Sequence, residues 1–104
     1  MTLQAFEDKL KEVCPDTYKL PAPKGKRRFV TWHRYGRSPI FGDDRNQTEP
    51  PKVQLDIVTN VWNDTLADDI MAALWAMDIP YEVVSEGHDD EYAAERTILQ
   101  LVVV

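Results

Sequence analysis

Cysteine is nearly absent from this chain of 104 residues: only Cys14 occurs, so no disulfide can form within it. A reducing site of synthesis fits that usage. Glycine is scarce, with four residues, and none lies in a GxGxxG, GxxxxGK[ST] or GxSxG pattern. The usual signatures of dinucleotide binding, phosphate-loop chemistry and a nucleophile elbow are therefore missing. No apolar run approaches the roughly 18–20 residues that a membrane helix requires. The opening MTLQAFEDKLKEV has charges scattered through it, which predicts no signal peptide. With two histidines and one cysteine, the chain offers no second ligand cluster at zinc spacing.

What is present is ordinary for a globular protein: 43% hydrophobic and 29% charged residues, which excludes a fully disordered chain. The length predicts a single soluble domain over 1–104. A chain of this size buries roughly 60–70% of its unfolded surface, leaving little interior for a deep active site. The net charge of −6 is unevenly spread. Residues 1–37 carry nine Lys/Arg against four Asp/Glu, and residues 38–104 carry three against fourteen. Such polarity can steer head-to-tail contact between copies, although a solvated surface can also carry it by accident.

Leu3, Phe6, Leu10 and Val13 recur at helical spacing, predicting a helix over 3–14 with Thr2 as its N-cap. Cys14-Pro15 ends it, because the residue before a proline avoids the helical region. Residues 15–28, with Pro15, Pro21, Pro23 and the basic run Lys24–Arg28, read as an extended connection. FVTWHRY at 29–35 reads as a strand. A long polar loop follows, about 36–51, and loops of that length are usually functional or mobile. A second strand is expected over 52–62, with Val53, Leu55, Ile57, Thr59 and Val61 on one face. Asn63 or Asp64 caps a second helix to about Met77, whose core stripe is Leu66, Ile70, Ala73, Leu74 and Met77. Asp78-Ile79-Pro80 breaks that helix. Two last strands, 80–85 and 95–104, flank an acidic turn, Glu86–Glu91. The expected fold is α+β in the order α-β-β-α-β-β: a four-stranded, mainly antiparallel sheet with two helices packed on one face.

Apolar side chains exceed what this two-layer arrangement needs. Met71 and Trp75 lie more than 100° from the centre of the second helix's core stripe. On the last strand Thr97, Leu99, Leu101 and Val103 point one way, and Ile98, Val102 and Val104 the other. Val30 and Trp32 alternate with Phe29 and Tyr35 in the same fashion. If helices cover one sheet face, the second face carries aromatics and aliphatics, and a large exposed apolar patch usually marks an interface. Coverage of both faces within the chain is the alternative.

The catalytic readings are weak. Cys14 with His33 or His88 could pair a nucleophile with a base, but Cys14 sits on the apolar stripe of the first helix, where an inert buried thiol is commoner. His88-Asp89-Asp90-Glu91 reads as a solvated turn, since adjacent residues seldom converge on one ion. Asp43-Asp44 with Asn46 lacks the glycine and terminal glutamate of a calcium loop. No enzyme activity, metal or cofactor is expected. Lys24-Gly25-Lys26-Arg27-Arg28, followed by Trp32, His33 and Tyr35, could bind nucleic acid by phosphate neutralisation and stacking, against the overall acidity of the chain. A small nucleic-acid-binding or regulatory module is therefore the alternative function.

The sequence as a whole, with its short helix, proline-bearing link, FVTWHRYG strand, Ser38-Pro39-Ile40-Phe41-Gly42-Asp43-Asp44 loop, KVQLDIVTN strand, IPYEVV and final RTILQLVVV, resembles the small tail-completion and head–tail connector proteins of long-tailed bacteriophages and prophages, tail terminators among them. The resemblance covers nearly the whole chain and rests on element order and a loose consensus. It implies a structural virion protein, made in the bacterial host cytoplasm, at the joint of capsid and tail or at the tail end. The implied partners are further copies in a ring, commonly six, with tail-tube and connector proteins on either side. DNA passes through such a ring without specific binding, and no membrane is involved. In a ring each copy shows its neighbours two different surfaces, so the basic N-terminal part could meet the acidic C-terminal part of the next copy. An acidic lumen, lined for example by Asp43 and Asp44, would repel DNA phosphates. The expected interface residues are Arg27, Arg28, Phe41, Asp43, Asp44 and Trp75. Gly42 departs from the larger residue common in related sequences, and Trp62 and Trp75 are not demanded by the pattern, which leaves the subtype open.

Overall fold

The computed structural model describes residues 1–37, 50–91 and 93–103. Its elements are α1 (Leu3–Val13), β1 (Thr17–Lys19), β2 (Arg28–Arg37), β3 (Pro51–Thr59), α2 (Leu66–Ala76), β4 (Tyr81–Asp89) and β5 (Ala94–Val102). The α+β class and the two helices match the sequence reading. The sheet does not: among the described residues it has five strands in the order β1-β2-β3-β5-β4, and it is mixed. The additional strand is β1, inside the stretch read as a mere connection. It runs parallel to β2, pairing Thr17 with Val30 and Lys19 with Trp32. Three residues among prolines carry no alternation signal, and the partner lies thirteen residues away, so only the tertiary pairing creates this strand.

The other pairings are antiparallel and set the rows of the core. Val30 lies opposite Ile57, and Ile57 opposite Thr97; Trp32 lies opposite Leu55, and Leu55 opposite Leu99. Paired residues share a sheet face, so Val30, Trp32, Val53, Leu55, Ile57, Leu99 and Leu101 form one apolar surface. Against it pack Phe6 and Leu10 of α1 with Leu66, Ile70 and Leu74 of α2, in one continuous core. Burying each large apolar side chain contributes about 1.5–3 kcal/mol.

Local chemistry fixes the helix ends. Thr2 Oγ1 accepts the Ala5 amide at 3.0 Å, as an N-cap should. Cys14 terminates α1 in an extended conformation before Pro15. At the far end of α2, Asp78 adopts a left-handed conformation with φ of 57°. The Ile79 amide then returns to the Leu74 carbonyl at 3.0 Å, closing the helix and turning Ile79 into the core.

Several boundaries and faces differ from expectation. β3 stops at Thr59, and Val61 is half exposed rather than in the core. Met71 is partly buried against the core, because α2 lies low enough for its flank to touch it. β4 extends to Asp89, so Glu86–Asp89 are strand residues and the acidic turn begins only at Asp90. The second sheet face is not a broad apolar patch. Phe29, Val58 and Ala94 form a small buried cluster under Tyr18 and Ala22, because the connection after β1 folds over them. Beyond it the face is polar, with Asp56, Arg96, Gln54 and Gln100 bonded to one another. Of the loop expected at 36–51, residues 38–49 lie outside the described residues, as does Val104.

Cys14 is 1% exposed, and burial pushes its thiol up from its ordinary value. Native protein at pH 8 should therefore resist an aqueous thiol reagent and react fully once denaturant is added, as a colorimetric thiol assay would read. Rapid labelling of the native protein would contradict this packing.

Candidate functional site

Two tryptophans stand outside the core. Trp75 is 80% exposed on α2, where the helical turn points it away from Ile70 and Leu74. Beside it Asp78, Ile79 and Pro80 complete a shallow hollow of about 210 Å³, created by the sharp exit of the chain from the helix. Trp62 is 93% exposed, in the turn between β3 and α2 with Val61 next to it. It borders a second hollow of about 320 Å³ shared with Asn60, His88, Ala93 and Glu95. Trp75 is the penultimate residue of α2, and Trp62 lies in the turn four residues before that helix begins. Large aromatic side chains with one solvated face are the usual anchors of protein contacts.

The basic run is divided by its ion pairs. Lys26 Nζ lies 3.2 Å from Asp16, whose carboxyl is held below its usual range by the Tyr18 hydroxyl first and Lys26 second. Arg28 is committed within the chain: Nε donates to Asp64 Oδ2 at 2.8 Å and Nη2 to Oδ1 at 3.3 Å. Asp64 also accepts the Thr59 hydroxyl at 2.5 Å and the Leu66 amide at 3.1 Å. These donors, Arg28 foremost, hold its carboxyl below the ordinary value. Asp64 thus joins β2, the end of β3 and the start of α2, in place of a side-chain cap at Thr65. Arg28, expected at an interface, serves the fold through this pair. Lys24 and Arg27 remain exposed.

A second arginine works similarly on the open face. Arg96 Nη1 donates to Asp89 at 2.9 Å and Nη2 to Asp56, which keeps the guanidinium charged in a partly buried position. His88 sits between Asp90 at 3.5 Å and Glu95 at 3.6 Å. His33 lies on the open face, across the sheet from Cys14, so this pair does not meet as nucleophile and base. Among the described residues no group of three or more His, Cys, Asp or Glu is placed to hold a metal ion.

Of the sequence-derived interface residues, Arg27 and Trp75 are at the surface and Arg28 is half exposed but paired. Phe41, Asp43 and Asp44 lie outside the described residues. Sequence reasoning missed Trp62 by running the second strand on to residue 62. Asn60 and Asn63-Asp64, turn formers on both sides of Val61-Trp62, were the signal that the strand ends earlier. No protein-family model matches this chain, and none of the curated proteins matches it in sequence.

Proposed function

We propose that this chain is a structural protein of the head–tail junction or tail end of a long-tailed bacteriophage or prophage. In this reading it assembles through protein–protein contacts into a ring, for instance of six copies, around the DNA channel in the virion. The observation that carries the reading is the pair of exposed tryptophans, Trp62 in the turn before α2 and Trp75 near the C-terminal end of that helix. A closed ring needs two different contact surfaces on each copy, and a chain that spends two large aromatics on solvent at separate places supplies them. The division of charge between residues 1–37 and 38–104 gives those surfaces a direction. The resemblance of nearly the whole chain to tail-completion proteins, in element order and a loose consensus, suggests the biological setting.

The test mixes the protein with the tail-tube protein of the same phage and reads co-elution by gel filtration. The wild-type chain should co-elute, and Trp75→Ser should weaken that association or the self-association at least tenfold, since a central aromatic contributes about 2 kcal/mol or more to a contact. Its melting temperature should stay nearly unchanged, because an exposed side chain contributes little to stability. Failure to bind the tube protein or itself, together with salt-sensitive DNA binding lost on Arg27→Ala, would instead support the nucleic-acid module built on Lys24–Arg28.

A further inference from the structure

β4 is the least covered element of the fold. Among the described residues it forms one border of the sheet, with β5 as its one strand neighbour. Both helices pack over the other strands, so seven of its nine residues, from Glu82 to His88, are exposed. Val83 and Val84 are 43% and 49% exposed there. Among the described residues nothing pairs with its outer side, and although its register shifts between Val83 and Ser85, the strand offers backbone amides and carbonyls on either side of that shift to another strand.

Charge says which strand. Glu82 and Glu86 are exposed and have no basic partner among the described residues, and Asp90 and Glu91 continue the acidic stretch. Pairing β4 with β4 of a second copy would set these carboxylates against one another, which is unfavourable. The opposite border of the sheet is basic. Among the described residues β1 pairs with Val30–Trp32 of β2, and Lys19 and Arg34 are exposed along that border with Lys24 and Arg27 at its end. Direction agrees as well. β1, β2 and β5 run one way and β3 and β4 the other. A second copy in the same orientation would therefore bring its β1 antiparallel to β4.

We infer that β4 receives the β1–β2 border of a second copy, so that the sheet continues from one copy to the next through an acidic edge meeting a basic one. The inference rests on the ring reading and names the contact within it. The chain's own charges disfavour the symmetric β4 pairing and favour association head to tail.

The test is a charge exchange. One variant carries Glu82→Lys and Glu86→Lys, the other Lys19→Glu and Arg34→Glu. Each alone should self-associate at least tenfold more weakly than wild type in sedimentation velocity. An equimolar mixture should recover association, because every junction then joins unlike charges, and recovery also shows that both variants are folded. In the wild type, hydrogen exchange at Glu82–His88 should slow as the protein concentration rises. Variants that each assemble like wild type, or a mixture that stays dissociated, would overturn the β4 contact while leaving a ring built on other surfaces intact. A wild-type chain that is monomeric at every concentration, alone and with tail-tube protein, would overturn both.

Discussion

Replacing Asp64 by alanine should cost about 3 kcal/mol of stability, read as a shift of the urea midpoint at pH 7. The substitution removes two hydrogen bonds from a guanidinium, one from the Thr59 hydroxyl and one from the Leu66 amide. Hydrogen bonds to charged groups contribute about 1.5–3 kcal/mol, and loss of a helix-start acceptor costs about 1. Arg28 is 40% exposed and recovers part of its loss by hydration. Acid should reproduce the effect. The folded carboxyl titrates below its unfolded value, so its stabilisation is complete above the unfolded pKa of about 3.9 and is lost as pH falls through the folded one. The wild-type and Asp64→Ala midpoints should therefore converge at strongly acid pH. A gap that persists there unchanged would mean that the carboxylate charge contributes nothing. Asp64→Asn should fall between the two, since it keeps an acceptor for Leu66 but no charge for Arg28.

The second large effect belongs to Phe6. An isolated helix of eleven residues is marginal in water, so α1 owes its existence to the core. Phe6 and Leu10, both 0% exposed, are its anchors. Phe6→Ala should cost about 3–5 kcal/mol, against a total that for this length is about 5–15 kcal/mol. The loss should be visible locally as well. Cys14 closes α1 and is protected only while the helix is docked, so its thiol should label much faster in Phe6→Ala under native conditions. Equal labelling rates in the two proteins would show that α1 docks without the phenyl ring.

These sites also mark where sequence reasoning succeeds. The Thr2 cap, the stop at Cys14-Pro15 and the alternation through β5 are local signals written within a few residues, and the folded chain follows them, whereas β3 is buried on both faces from Leu55 to Thr59. The parallel strand β1 is not local. Thr17-Tyr18-Lys19 becomes a strand only because β2 offers a free edge beside it. Asp64 is readable as a helix start, but Arg28 is thirty-six residues earlier, and no spacing rule links them. The Asp56–Arg96 pair spans forty residues and turns a face expected to be apolar into a polar one. Trp75 was legible from helical phase, because its direction follows from 3.6 residues per turn. Its neighbour in the hollow, Ile79, depends on the left-handed turn at Asp78, which the breaker Asp78-Ile79-Pro80 announces without giving its shape.

In the proposed ring the two kinds of surface would divide the work. There the exposed indoles would supply contact area that excludes water, and the charged sheet borders would choose orientation and partner. Salt should weaken the second contribution far more than the first, since exposed charges are screened over about 10 Å at 0.1 M.

Light scattering coupled to gel filtration, run on the pure chain over a range of concentrations and at low and high salt, tests the central claim most directly. Head-to-tail closure is expected to give one discrete species at a fixed multiple of the chain mass, without an open-ended series, and to lose that species as salt is raised. A chain of monomer mass under every condition, with or without added tail-tube protein, would contradict the proposed ring.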